Sequence, residues 1–171
     1  MGCLFLSTVR LHSIMNEKSK INLKLNDLNK ELLDLQNYSA TIASGSVTMN
    51  DIANAPSSVF SRLMNFMQYA TSTATQGAQS KFSIFSATQP QTFTDATQQQ
   101  NYMNSIMQSF YKQEMDQCIQ VETKLLNAKE TKIQQEINKL QTRLQMLDSE
   151  QNSCESAQQQ SAQKSGPNYM A

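Results

Sequence analysis

Residues 119–154 carry an apolar side chain about every 3.5 positions within an otherwise polar segment. Steps of four and three from Ile119 reach Ile, Leu or Cys at eight of eleven positions, and the segment contains no Gly or Pro. This period predicts a helix with a narrow apolar stripe that a second helix must cover. The stripe consists of Ile119, Leu126, Ile133, Ile137, Leu140, Leu144 and Leu147, and it ends at Cys154.

Residues 1–43 show the same period and predict a second helix of this kind. Leu23 and Leu33 lie off its stripe and widen the apolar surface, as in a helix with more than one neighbour. Gly45 is placed to end the helix in a left-handed conformation. The N-terminal stripe consists of Leu11, Ile14, Ile21, Leu25, Leu28, Leu32, Leu35 and Ile42.

The two stripes can pair antiparallel within one molecule. A register that places Ile14 opposite Leu147 also places Ile21 opposite Leu140, and the pairing continues to the far ends of both stripes. The sequence therefore predicts an all-α fold, namely an elongated helical hairpin. In this fold the N- and C-terminal helices form an antiparallel coiled coil, and shorter helices and a loop lie between them.

This register makes two further predictions about side chains at the seam. Lys30 lies near Glu130, and such a surface pair contributes about 0–1 kcal/mol, so it would set register more than stability. Cys154 faces Ser7, and Cys3 lies about one helical turn beyond it. A Cys3–Cys154 disulfide is therefore a hypothesis that requires slippage or a frayed terminus, and the alternative is two reduced thiols.

The segment from 44 to 94 differs from both ends, because it holds only three charged residues. Pro56 is suited to the first turn of a helix over about 57–70. Small polar residues at 71–80 predict a loop. Residues 81–85 are either a short strand or an apolar anchor that packs the loop against the helices.

Residues 95–158 predict one long helix with Asp95 as its N-cap. Residues 103–115 form a broad apolar face rich in adaptable methionines, which packs either on a second copy or on the helix at 57–70. Residues 159–171 include a Gly-Pro pair and predict a flexible tail. The candidate self-association face consists of Met103, Met107, Phe110, Tyr111 and Met115.

Composition supports the helical interpretation. The chain of 171 residues has 22 Gln, 20 Ser, 14 Asn and 13 Thr, but only four Gly, three Pro and no Trp. Scarce Gly and Pro argue against both disorder and a turn-rich β fold. The 14 basic and 14 acidic residues are dispersed and cancel. A nucleic-acid partner is therefore not expected, because it requires clustered positive charge, whereas a neutral surface favours self-association.

No cofactor, metal or small-molecule site is predicted. Cys3, Cys118 and Cys154 lie far apart, and His12 is the single histidine, so the spacing of a zinc site is absent. Acid–base catalysis requires acids or histidine that converge in a pocket, whereas these acids fall mostly on outer helix faces. There is no glycine-rich phosphate loop. We therefore expect a protein that is not an enzyme.

The N-terminal segment MGCLFLSTVRLHS is apolar, but it lacks the basic region of a standard signal peptide. No run of about 18 apolar residues exists, so no transmembrane segment is predicted. Gly2 and Cys3 partly match an acylation motif, but Leu6 stands where that motif has Ser or Thr. Two locations stay open, namely the cytoplasm and the outside of the cell after export without a standard signal peptide.

The run KETKIQQEINKLQTRLQMLDSE at 129–150, the heptads of 11–42 and the charge-poor middle together resemble bacterial flagellin-like and type III secretion filament proteins. A closer resemblance is to small bacterial helical-hairpin proteins of this layout. The resemblance implies a secreted or filament-forming subunit. The chain departs from flagellins in its three cysteines and in its apolar start, and no functional residue is carried over.

Two classes of function remain. The first is a structural or assembly protein, a helical-hairpin subunit that packs with copies or with related helical subunits into a filament- or shell-like assembly. A bundle that stays monomeric or dimeric is the alternative to this assembly. The second is a secretion-associated binding module, a secreted effector or a phage virion accessory protein, whose uncharged middle contacts the partner.

Overall fold

The computed structural model describes residues 2–43, 57–88 and 95–165. These residues form three α-helices and contain no β-strand, so the all-α prediction is confirmed. Helix α1 spans Gly2–Ala43, α2 spans Ser57–Thr88 and α3 spans Ala96–Ser165. The predicted roles of Gly45 and Pro56 fall outside the described residues.

Helix α2 corrects the prediction for the middle of the chain. The predicted helix at 57–70 continues to Thr88, so the loop expected at 71–80 and the strand considered at 81–85 are both wrong. Its continuation has a packing reason, since Ala70, Ala74 and Ala78 are at most 1 % exposed. Their spacing of four places them on one side of the helix, where small side chains allow close contact with a neighbour.

The hydroxyl-bearing residues of α2 are accommodated within the helix. Thr75 donates from Oγ1 to the carbonyl of Thr71 at 2.8 Å, and Ser80 donates to the carbonyl of Gln76 at 3.0 Å. Such bonds to a carbonyl one turn earlier satisfy the hydroxyl without ending the helix. A stretch rich in Ser and Thr is therefore compatible with a continuous helix here.

Helix α3 begins as predicted and ends later. The N–H of Thr97 donates to Oδ1 of Asp95 at 2.9 Å, which confirms Asp95 as the N-cap. The helix continues to Ser165 and not to residue 158, because no Gly or Pro occurs before Gly166. The last six residues of the predicted flexible tail lie outside the described part of the chain.

The chain divides into two compact units whose boundaries fall inside α1 and α3. The terminal unit comprises Met1–Leu32 and Thr131–Ala171, and the central unit comprises Leu33–Glu130. The predicted segments 1–43, 44–94, 95–158 and 159–171 instead divide the chain at the ends of the predicted helices.

In the terminal unit, α1 and α3 share one apolar core. Ile14, Ile21 and Leu147 are buried in it, and Leu25, Leu140, Leu144 and Cys154 pack against them. Ion pairs between the two helices flank the core: Arg10–Glu150, Lys18–Asp148, Lys24–Glu136 and Glu17–Arg143.

In the central unit, all three helices supply buried side chains. Helix α1 contributes Leu35, Tyr38 and Ile42, and α3 contributes Leu126. Helix α2 contributes Val59, Leu63 and Phe66 together with Ala70, Ala74 and Ala78. Glu130 accepts a hydrogen bond from Gln36 Nε2 at 2.8 Å, which corrects the predicted pairing of Glu130 with Lys30. The amide that binds Glu130 thus belongs to a residue about two turns beyond Lys30 in α1.

All fifteen predicted stripe positions are buried or partly buried, and none is exposed. Leu23 and Leu33, the two leucines off the stripe, are 64 % and 57 % exposed. These two leucines predicted a second neighbour for α1. Within the described part of the chain, no such neighbour covers them.

Candidate functional site

The N-terminal part of α1 exposes large apolar side chains in the terminal unit. Phe5, Leu6 and Val9 lie within its first turns and are 72 %, 69 % and 53 % exposed, and further along Met15 is 60 % exposed. Single exposed apolar residues are ordinary on a protein surface, but several within neighbouring turns form a patch that a partner can cover.

A second exposed feature of α1 is the row Lys20, Leu23 and Asp27, here named the α1 ridge. Steps of three and four place its members on one side of the helix. The buried Ile21 lies about 200° around the helix from Leu23, so the ridge faces away from the core. The Lys20 and Asp27 side chains are exposed, and neither side chain forms an ion pair or hydrogen bond with another described residue.

A shallow groove of about 430 Å³ runs beside Leu23. Apolar atoms and uncharged polar groups line most of its wall, and Leu23 itself forms one side. The groove is lined by Met15, Lys18, Ser19, Asn22, Leu23 and Asn26 of α1 and by Gln151 of α3.

The predicted self-association face on α3 is partly occupied by α2. All five of its residues are partly buried. The ring of Phe85 in α2 meets Phe110 edge-on at 6.1 Å between centroids and meets Tyr102 at 6.4 Å. Aromatic pairs with this geometry are favourable contacts. Phe110 of this face therefore packs within the central unit against the C-terminal half of α2, beyond the predicted helix at 57–70.

Gly77 of α2 allows the side chain of Glu114 in α3 to approach closely. A Cβ atom at position 77 would lie 2.7 Å from Cδ of Glu114. Glu114 is 15 % exposed and forms an ion pair of 2.7 Å with Lys81, which also donates to Gln113 at 2.9 Å. Gly77 thus leaves room for a polar link between α2 and α3.

Tyr38, Arg62 and Glu122 join the three helices of the central unit. The Tyr38 hydroxyl donates to Oε1 of Glu122 at 3.1 Å, and Arg62 donates to the same oxygen at 3.2 Å. The Arg62 guanidinium also lies 4.4 Å from the centroid of the Tyr38 ring, a cation–π contact. Burial, and then the Glu122 carboxylate, raise the pKa of Tyr38, so its hydroxyl stays protonated and can donate.

The predicted stripe of α1 leaves out Tyr38, although the structure leaves this residue only 1 % exposed. The stripe passes from Leu35 directly to Ile42. A step of three from Leu35 reaches Tyr38 and a step of four then reaches Ile42, so the same period is a sequence signal for Tyr38.

The described residues contain two free thiols and no metal cluster. Cys118 and Cys154 form no disulfide with another described residue, and burial raises the pKa of Cys118, with a smaller contribution from Glu114. The side chain of Cys3 lies outside the described residues, so the Cys3–Cys154 disulfide stays a hypothesis. No three His, Cys, Asp or Glu side chains in the described ranges are grouped to hold a metal ion.

Among the described helices, none combines the length and the apolar character needed to cross a membrane. Comparison of the chain with protein-family models, with curated proteins and with solved structures finds no match. The resemblance to flagellin-like and type III secretion filament proteins therefore stays a prediction from the sequence.

Proposed function

We propose that this protein is a non-enzymatic structural subunit that assembles with copies of itself. In this proposal α1 and α3 pair as an antiparallel coiled coil, and the apolar surface left exposed on α1 forms contacts between subunits. The observation that carries the proposal is the exposure of Phe5, Leu6, Val9, Met15 and Leu23 on one helix of the terminal unit.

The order of the contacts between α1 and α3 supports the antiparallel pairing. Arg10 pairs with Glu150, whereas Lys24, further along α1, pairs with Glu136, earlier in α3. Residue numbers thus rise along one helix as they fall along the other. The expected opposite residues Ile14 and Leu147 are buried in the same core. These contacts agree with a coiled coil in which the apolar side chains of the two stripes interdigitate.

The exposed side chains at the start of α1 favour assembly energetically. Complete burial of a Leu, Val or Phe side chain contributes about 1.5–3 kcal/mol. Phe5, Leu6 and Val9 are each more than half exposed, so most of this contribution is still available to a partner. A zero net charge adds no overall repulsion between copies.

Sedimentation velocity over a wide range of protein concentration tests the proposal. We expect the average sedimentation coefficient to rise with concentration, and electron microscopy of the concentrated sample to show ordered assemblies. Replacing Phe5 and Leu6 together by Ser should shift the distribution towards smaller species. Met146→Ser is a matched control, because Met146 is 58 % exposed in the same unit but lies on α3.

A single monomeric species at every concentration would overturn the proposal. Assemblies that respond equally to the α1 double variant and to Met146→Ser would refute the role given to the start of α1. Circular dichroism of each variant confirms that its helical content is unchanged before the sedimentation data are compared.

A further inference from the structure

We infer that the α1 ridge is a docking surface for the α1 ridge of a second copy of this chain. The two helices pack antiparallel about a two-fold axis beside Leu23. Lys20 of each copy then pairs with Asp27 of the other. This inference rests on the proposed self-assembly and names one surface through which it occurs.

The order of charges along the ridge makes it self-complementary. In a two-fold contact, if residue i of one copy meets residue j of the other, then j also meets i. Lys20 lies three residues before Leu23, and Asp27 lies four residues after it. An antiparallel pair centred beside Leu23 therefore places both lysines opposite aspartates. A parallel pair would place Lys20 against Lys20, so the charges select the antiparallel orientation.

Both ridge charges are available for this contact. The neighbouring Lys18 and Lys24 are already paired with Asp148 and Glu136 of α3. Lys20 and Asp27 point away from that interface, are exposed and have no ion-pair partner among the described residues. The two-fold contact would give each of them a partner without disturbing the ion pairs between α1 and α3.

The groove beside Leu23 accommodates the apolar part of the contact. Leu23 is 64 % exposed, and the groove next to it includes Met15, itself 60 % exposed. In the antiparallel pair, Leu23 of each copy enters the groove of the other, as a knob enters a hole between helices. Asn22 and Asn26 line the same groove, and their amides can bind water or polar groups of the second copy.

The size of the ridge predicts a weak contact. Its span from Lys20 to Asp27 is about 10 Å of helix, or two turns. Stable specific dimers bury about 1,200–2,000 Å² in total, which is more than one such contact between two helices provides. We therefore expect dissociation at low protein concentration and association at high concentration, as suits a subunit held in an assembly by several contacts.

Charge reversal followed by charge exchange tests the inference. Asp27→Lys places two lysines on each side of the contact and should raise the dimer dissociation constant about tenfold or more, as measured by sedimentation equilibrium. The double variant Lys20→Asp, Asp27→Lys restores opposite charges across the two-fold axis and should recover the affinity of the original protein. Asp116→Lys is the matched control, because Asp116 is an exposed acid on α3.

The outcomes separate this inference from the proposed function. Weakening by Asp27→Lys with recovery in the double variant supports the ridge contact. If neither variant changes the dissociation constant, or if the double variant does not recover the original affinity, the ridge contact is wrong and the copies assemble through another surface. If the original protein is monomeric at every concentration, both the proposed self-assembly and the ridge contact are wrong. The α1 ridge then contacts a different protein or only solvent.

Discussion

Gly77→Ala is the substitution for which the structure and simple helix propensity predict different effects on stability. Alanine is about 0.8–1.0 kcal/mol more favourable than glycine inside a helix, so propensity alone predicts stabilisation. In the structure, however, the added Cβ would lie 2.7 Å from Cδ, 2.8 Å from Cγ and 2.9 Å from Oε2 of Glu114. Such contacts are far inside the optimal carbon–carbon separation of about 3.5–4.0 Å. The Glu114 side chain must therefore move.

The magnitude follows from what Glu114 loses. Its carboxylate is mostly buried and pairs with Lys81, so displacement removes an interaction of up to about 1 kcal/mol at this partly exposed site. The three nearest atoms all belong to the end of the flexible Glu114 side chain, so moving it adds little beyond the loss of its ion pair. After subtraction of the propensity gain, we expect Gly77→Ala to change the free energy of unfolding by less than about 0.5 kcal/mol.

A double-mutant cycle isolates this effect. In a Glu114→Ala background the obstacle is absent, so the same Gly77→Ala change should stabilise the protein by about 0.8–1.0 kcal/mol. The measurement is urea unfolding followed by far-ultraviolet circular dichroism. Ser72→Ala serves as the control for propensity, because Ser72 is exposed on the same helix.

The decisive result is the difference between the two backgrounds. If Gly77→Ala stabilises the original protein as much as it stabilises the Glu114→Ala variant, the close packing of α2 on Glu114 is wrong. A stabilisation that occurs only in the Glu114→Ala background would support the contact, and the coupling free energy would measure its strength.

Two further predictions concern the two cores. Tyr38→Phe should cost about 1 kcal/mol near neutral pH, since Glu122 loses a hydrogen bond in a mostly buried site. Because the pKa of Tyr38 is raised in the folded state, its contribution is complete below the ordinary tyrosine pKa of 10.0 and is lost as pH rises above it. Urea unfolding at several alkaline pH values should therefore show a shallower loss of stability in Tyr38→Phe, and equal slopes would contradict this. Leu147→Ala should cost about 2–5 kcal/mol, whereas the exposed Met146→Ala should stay within about 0.5 kcal/mol, and similar losses from both would refute the described core.

The local pattern of the chain is sufficient to predict the helical class and the buried side of both terminal helices. A residue such as Ile21 or Leu147 needs no knowledge of its neighbour, because the 3.5-residue period concentrates large apolar side chains on one stripe. The start of α3 was equally local, since Asp95 caps the helix with its own side chain. These features depend on interactions within a few residues along the chain.

The full length of α2 and the partners of its polar residues depend on tertiary packing. Ala74 and Ala78 carry little apolar surface, so their burial depends on how closely the rest of the chain approaches, which no local pattern records. Tyr38 and Glu122 lie 84 positions apart in the sequence, and their hydrogen bond exists because packing brings two helices together. The exposure of Leu23 was decided in the same way. An apolar residue off the stripe predicts a neighbour, but folding determines whether that neighbour belongs to the same chain.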